Sequence, residues 1–284
     1  MGTLPSPGTL RASLPASALS LSRSDDAASA RPSSARLDLL RRFDQTFSEA
    51  PATTSKDIRD AFRLRYQVYC LDRGFESADA CPQGMEQDSY DDQALHCLLR
   101  ERMTGLSIGT VRLIQPAATP AWFAGLPLAD YAPQESMADI MRLPAGTTAE
   151  VSRFAITRSA REVLRAADEM RADYDADAAQ TVAAEKLLPY MSLGLIRGLV
   201  RLSMEHDITH WCLAAEPSLL RRLRSFGLHF TNAGPLVDHR GLRQVCYAEL
   251  APLLSRAEEE QPEFWSVITD DGALASADLA RNAA

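Results

Sequence analysis

The sequence predicts a mixed α/β fold built on one sheet, and three observations carry that reading. Short apolar runs of strand character (ALHCLLRE, GLSIGTVRLIQP, EVSRFAI, THWCLAA, LRQVCYAEL) alternate with longer stretches of helical period. The chain has 284 residues and is 46% hydrophobic, enough to bury a full core. Neither an internal repeat nor an apolar run of membrane-spanning length breaks the pattern.

Residues 1–36 are rich in Ser, Ala and Pro, lack any period, and read as a disordered tail without a secretory signal. MGTLPS fits a myristoylation pattern at Gly2 and Ser6, and a match this short is taken as accidental. Residues 37–268 are expected to form one domain and 269–284 a C-terminal tail. FDQTF is a short strand candidate. A helix should run from Ser55, its cap, to Tyr69, because Ile58, Ala61, Phe62, Tyr66 and Tyr69 recur at helical spacing. A polar loop from Asp72 to Asp92 leads to the strands ALHCLLRE and GLSIGTVRLIQP.

The Pro-studded stretch from Pro116 to Pro144 reads as a long excursion with little regular structure. After EVSRFAI, the charged segment from Arg158 to Glu185 is either a helix or a mobile lid. The next helix carries Leu187, Met191, Leu195, Leu199 and Leu202 on one stripe, with Gly194 and Gly198 for close packing. That stripe reads as core, with an acyl-tunnel wall as the rarer use. THWCLAA is a buried strand, EPSLLRRLRSFG a short helix with Pro217 at its start and Gly227 as its stop, and LRQVCYAEL a last strand.

Bulk properties exclude several classes. The net charge of −8 argues against a general nucleic-acid binder. The cysteines Cys70, Cys81, Cys97, Cys212 and Cys246 contain no C-x-x-C pair, so neither zinc nor a disulfide framework is indicated, and a reducing, cytoplasmic setting is expected. The histidines show no ligand spacing, and no metal is assigned.

EVSRFAI places Glu150, Ser152 and Arg153 in an otherwise apolar strand. Charges there cost several kcal/mol unless paired or used in chemistry. Glu150 and Arg153 differ by an odd number, so a regular strand would put them on opposite faces. Either Arg153 serves a partner behind the sheet, or a bulge re-aims one of the two, and the bulge is the preferred reading.

Several stretches in order, RLRYQVYCLDRGFE, GMEQDSYD, GTVRL and EVSRFAI, resemble the motifs of acyl-homoserine-lactone synthases and N-acyl amino acid synthases. These are relatives of the GCN5-type N-acetyltransferase fold. SLGLIRGLVRLSMEHDITHW, EPSLLRRLRSFGLHF and GPLVDHRGLRQVCYAEL add a more specific resemblance to acyltransferases associated with PEP-CTERM/exosortase systems. The resemblance spans about residues 42–268.

It implies a mixed, mostly antiparallel sheet flanked by helices, and a fatty acyl donor carried as acyl-phosphopantetheine on acyl-carrier protein. It also implies a small amine acceptor such as an amino acid, and no tightly bound cofactor. The polar set it implies is Arg65, Asp88, Asp91, Arg112, Glu150 and Arg153, with Tyr69 and Phe75 at the aromatic positions. Ser152 and Phe154 flank Arg153 and are assigned to substrate binding.

In N-acylation a neutral amine attacks a thioester carbonyl, so a base and oxyanion donors are needed. Glu150 is the expected base, and backbone N–H groups are the donors if its strand parts from a neighbour, as the resemblance implies. Arg65 or Arg112 can clasp an acceptor carboxylate, or can simply anchor loops. Asp88 and Asp91 lack the further oxygens a calcium loop needs, and the resemblance assigns them to acceptor-pocket formation and loop ordering. Docking of an acidic carrier is expected on Arg197, Arg201, Arg221, Arg222 and Arg224, whose bland alternative is a solvated helix face. The rival functions are a lactone synthase using S-adenosylmethionine and a non-catalytic acyl or carrier-binding module.

Overall fold

The computed structural model describes residues 34–275, except 82, 117–120 and 175–182. The expectations for residues 1–33, for the Gly2 pattern and for the tail beyond 275 lie outside the described residues.

Seven strands form one sheet in the order β1-β2-β3-β4-β5-β7-β6. They are β1 (Phe47–Pro51), β2 (Ala94–Glu101), β3 (Ser107–Ile114), β4 (Thr148–Ile156), β5 (His210–Ala215), β6 (Thr231–Asp238) and β7 (Leu242–Glu249). Every neighbouring pair is antiparallel except β4 and β5. The helices are α1 (Ser34–Thr46), α2 (Ser55–Arg65), α3 (Leu128–Tyr131), α4 (Gln134–Ile140), α5 (Ala160–Tyr174), α6 (Met191–Glu205), α7 (Pro217–Ser225), α8 (Leu250–Glu260) and α9 (Pro262–Thr269).

The strand period of two sorts β2 between two layers. Cys97 and Leu99 pack into the main core with Leu195 and Leu199 of α6, whereas Leu98 packs with Ala61 and Ile58 of α2. The two helices therefore cover opposite faces of the sheet, which is why β2 and β3 read as nearly continuous apolar runs. The expected stripe on α6 is core, with Leu195 and Leu199 buried. None of the helices described is long and apolar enough to cross a membrane.

Several local expectations change. FDQTF is the end of α1, and only its last residue, Phe47, enters a strand. Phe43 and Phe47 sit four residues apart and their rings meet at 4.9 Å, a helical spacing that outweighs the strand-like composition. Thr54, not Ser55, caps α2: its hydroxyl accepts from the Asp57 N–H at 3.1 Å, and Asp57 closes the box. The regular α-helix ends at Arg65 and widens into a π-helical segment, Tyr66–Asp72. The stretch from Pro116 to Pro144 holds α3 and α4 rather than being irregular throughout, and the segment after β4 is helical as α5. Strand β6 and helices α8 and α9 were not anticipated. Gly234 and Pro235 mask β6, which survives as an edge strand with only Ala233 buried.

Gly198 of α6 faces Cys97, and a Cβ there would run into the Cys97 Sγ. Replacing a helical glycine by alanine ordinarily stabilises by about 1 kcal/mol. Here overpacking should prevail, so Gly198→Ala is expected to cost about 1–3 kcal/mol. Thermal unfolding of the variant checks this, and an unchanged or raised Tm would show that the helix–sheet contact yields.

Candidate active site

Strands β4 and β5 pair only from Thr148/His210 to Glu150/Cys212. Beyond Glu150 both continue, to Ile156 and Ala215, without pairing. A cavity of about 590 Å³ opens at this parting. Glu150 to Ile156 and Leu213 to Glu216 line it, so the backbone of β4 beyond Glu150 borders a space instead of a neighbouring strand.

The preferred bulge is present. Against β3, Arg112 faces Ser152 and Thr110 faces Ala155, so two steps on β3 match three on β4. Arg153 takes a left-handed φ of +51°, uncommon for a residue with a Cβ. As a result Ser152 and Arg153, adjacent in the chain, both reach one ion cluster, which a regular strand forbids. The Ser152 hydroxyl accepts from Arg112 Nε at 2.9 Å, and Arg153 Nη2 donates to Glu86 and Asp88, both at 2.9 Å.

That cluster joins three arginines to three carboxylates. Arg65 donates to Glu86 at 2.5 Å and to both oxygens of Asp91 at 2.7 and 3.1 Å. Arg112 Nη1 donates to Asp88 at 2.6 Å and Asp91 at 2.7 Å. Arg65 and Arg112 are 0% exposed. Neither lines the cavity, so clasping an acceptor gives way to the alternative, internal anchoring: both charges are paired with carboxylates inside the fold, while Arg112 Nη2 has no hydrogen-bond partner. Asp88 and Asp91 also form a reciprocal cap on the turn Ser89–Gln93, with Asp91 accepting from the Asp88 N–H at 2.8 Å. The loop that bears them is thereby ordered.

Glu86 was missed by sequence reasoning, although it lies inside GMEQDSYD. Burial raises its pKa, but the Arg65 hydrogen bond and the charges of Arg65 and Arg153 prevail and lower it to about 2. The Asp91 carboxyl is likewise lowered by the two buried arginines, against its own burial.

Glu150 behaves in the opposite way. It is 2% exposed, and burial pushes its pKa up to about 8, against one hydrogen bond from the Leu128 N–H and the charges of Arg112 and Arg153. Leu128 N–H donates to Glu150 Oε2 at 3.0 Å, so α3, inside the Pro-studded excursion, positions this carboxyl. Tyr69 and Phe75 both line the cavity. The Tyr69 ring carries the Arg153 guanidinium at 5.5 Å, and its hydroxyl donates to the Phe154 carbonyl at 3.4 Å. Tyr90, Asp130, Tyr131, His239, Arg240 and Arg243 also line it and were not singled out. Their only sequence signal was their placement: Tyr90 within GMEQDSYD, Asp130 and Tyr131 within the excursion, and the other three within DHRGLR.

The docking candidates divide. Arg197 is buried and donates to Asp44 at 2.8 Å and Glu49 at 2.7 Å, and Arg201 donates to Glu49 at 2.9 Å. These two tie α6 to α1 and β1 and offer no free surface charge, because the apolar stripe turns the whole helix inward. Arg221, Arg222 and Arg224 are exposed on α7, and Arg222 also lines the cavity. Among the described residues no cluster of His, Cys, Asp and Glu could hold a metal ion.

The cluster sets an acid limit on stability. The depressed Glu86 pKa contributes stability that is full above its ordinary value of 4.5 and is lost as pH falls through about 2. Glu86→Gln should abolish that part of the pH dependence and, by leaving Arg65 and Arg153 short of charge, cost up to about 3–5 kcal/mol near neutrality. Urea unfolding at several pH values checks this, and an unaltered acid slope in the variant would remove Glu86 from the role.

Residues 64–170 match a family model described as an acetyltransferase (GNAT) domain. That segment runs from the end of α2 into α5 and contains Arg65, Glu86, Asp88, Asp91, Arg112, Glu150 and Arg153. Among solved structures the chain is similar to the AHL synthase LasI, at 18% identity and a TM-score of 0.50, covering 71% of this chain and 88% of that one. It is similar also to MesI, a CoA-dependent acyl-homoserine lactone synthase, at 18% identity and 0.49, covering 79% and 93%. FeeM, an N-acyl amino acid synthase from uncultured soil microbes, aligns at 16% identity and 0.48, covering 76% and 97%. No curated protein matches in sequence. The fold is that of GNAT-like acyltransferases, and the matched domain supports acyltransferase activity.

Proposed function

We propose that this protein moves a fatty acyl group from acyl-carrier protein to the amine of a small acceptor such as an amino acid. The observation that carries the reading is Glu150, a buried carboxyl of raised pKa at the point where β4 leaves β5, inside a cavity that also meets an apolar wall. Ile196 and Leu199 of α6 and Leu219 and Leu223 of α7 form that wall, suited to an acyl chain. The pantetheine arm would enter between the parted strands. Glu150 takes the amine proton, directly or through a water, as the nitrogen attacks the thioester carbonyl. Backbone N–H groups bordering the gap stabilise the oxyanion. Collapse breaks the C–S bond, and the sulfur leaves with a proton.

The segment after β4 supports a carrier-bound donor. TRSAREVL contains no glycine with which a loop could cradle the pyrophosphate of coenzyme A. The exposed arginines of α7 suit an acidic carrier. The link to an exosortase system rests on the late motifs of the chain. Incubation with acyl-carrier protein loaded with a fatty acyl group, pooled amino acids and S-adenosylmethionine, followed by mass spectrometry, tests the reading. Open-chain N-acyl amino acids are expected, whereas an acyl lactone, or no acylated amine, would overturn it.

Glu150→Gln should keep the fold, since the new amide oxygen can still accept from Leu128, and lower turnover by about 10²–10³-fold. In the native enzyme kcat/KM is expected to rise with pH through about 8, because only the ionised carboxyl accepts a proton. Near-native turnover of the variant across that range would exclude Glu150 as the base.

Reversing charge at Arg221 and Arg222 is expected to slow carrier association and flatten its salt dependence, since exposed charges act mainly on encounter. Stopped-flow binding at several ionic strengths checks this. An unchanged rate and slope, or better use of acyl-coenzyme A than of the carrier, would place the donor elsewhere.

A further inference from the structure

The cavity has two chemically different ends. Glu150 lies between the apolar wall of α6 and α7 and a polar end formed by the β6–β7 turn, α3 and the loop before β2. An acyl chain takes the apolar side, so an acceptor amine meets Glu150 from the polar one. An acceptor that was apolar apart from its amine would desolvate the charges there without replacing their partners.

The cations at that end therefore decide what else the acceptor carries. Arg153 is committed to Glu86 and Asp88, and Arg65 and Arg112 are consumed inside the ion cluster. Arg240 and Arg243 are held differently. Each meets a single carboxylate from another element: Arg240 pairs with Glu76, and Arg243 pairs with Glu216 at 3.0 Å. Glu76 and Glu216 also line the cavity, and each has a second arginine nearby, Arg153 at 3.6 Å from Glu76 and Arg73 at 4.0 Å from Glu216, so each keeps a cation when it leaves Arg240 or Arg243. Burial raises the Glu76 pKa in spite of the charges of Arg240 and Arg153, so its carboxylate is poorly served where it sits.

Arg243 Nη2 donates to the Arg240 backbone carbonyl at 3.0 Å, and its guanidinium lies 5.4 Å over the Phe75 ring, which places the Arg243 side chain beside the turn that bears Arg240. Between them and the base runs a short bridge. His239 stacks on Tyr131 with ring centroids 3.8 Å apart, and Tyr131 closes α3, whose Leu128 N–H holds Glu150.

We propose that Arg240 and Arg243 select the amino-acid acceptor by receiving its carboxylate, which displaces Glu76 and Glu216. This rests on the amine-acylation reading above. It assigns acceptor choice to the β6–β7 turn and the start of β7, and not to the arginines of the buried cluster. Bidentate guanidinium–carboxylate pairing supplies both the affinity and the orientation that aims the amine toward Glu150.

The test compares each common amino acid with its carboxamide, in which only the carboxylate charge is lost. Calorimetric binding to the full chain is measured without donor, and acylation of the same pairs is measured with donor. The native protein is expected to prefer the acid by about tenfold or more, the scale of a charge-assisted pair. Arg240→Gln and Arg243→Gln should bring the preference to within about twofold, through KM and not kcat, while Arg243→Lys retains part of it. Arg240 is exposed, so its variant decides the matter if loss of the Phe75 contact unfolds Arg243→Gln. Equal binding of acid and carboxamide, no binding of any amino acid, or a preference that survives Arg240→Gln together with Arg243→Gln would overturn the proposal. Acylation of acids and carboxamides alike overturns it and leaves amine acylation standing. Absence of any acylated amine defeats the acylation reading, while the binding preference still decides this one.

Discussion

The short parallel pairing of β4 with β5 is the constraint on which the site depends. In a sheet whose other neighbours are antiparallel, this single parallel pair holds for three residues and then opens. Backbone groups that leave a ladder need another partner or a ligand. Side chains of α6 and α7 line the gap, and Glu150 at its edge is buried, so the effective dielectric around that carboxyl is low. Glu150 sits at the last paired position. The carboxyl is buried at the very place where β4 loses its neighbour, and burial raises its pKa.

A second constraint arises from putting charge so close to the sheet. Three arginines and three carboxylates balance one another around β3, β4 and the loop before β2. Replacing such a cluster with apolar groups is often neutral or stabilising, so its presence argues for geometry over stability. It ties the loop at Glu86–Asp91 to the sheet and holds Arg153 in a left-handed backbone that costs roughly 1–2 kcal/mol. The strain is local to the strand that lines the cavity. The cluster's members Glu86, Asp88 and Arg153 line the cavity with charge that is already paired inside the fold.

The elements that complete the cavity come from far apart in the chain. Leu128 on α3 holds Glu150, His239 on the β6–β7 turn stacks on Tyr131 at the end of α3, and α7 supplies both apolar wall and surface charge. Arg197 illustrates the opposite case. Its charge is spent on Asp44 and Glu49, joining α6 to the first helix and strand, so a basic helix face in the sequence becomes interior bracing in the fold.

Short apolar runs and helical spacing were enough to place β2, β3, β4, β5, β7, α2, α6 and α7, because burial imposes its pattern directly on the chain. Motif order named Arg65, Asp88, Asp91, Arg112 and Arg153, which the fold brings into one ion cluster, and Glu150, which stands beside it at the edge of the cavity. The odd spacing of Glu150 and Arg153 even required a choice between two faces and a bulge. Their roles were not legible. Whether a charged side chain is free or consumed depends on which carboxylates lie within about 3 Å, and those partners are separated in sequence by tens of residues: Arg65 from Asp91, Arg153 from Glu86, Arg197 from Glu49. Strand β6 was hidden because edge pairing needs only backbone, and a glycine–proline break with one buried alanine leaves no period to read. The raised pKa of Glu150 was decided last of all, by its burial where β4 leaves β5 and α3 reaches the carboxyl, for a residue that in the sequence is one glutamate among many.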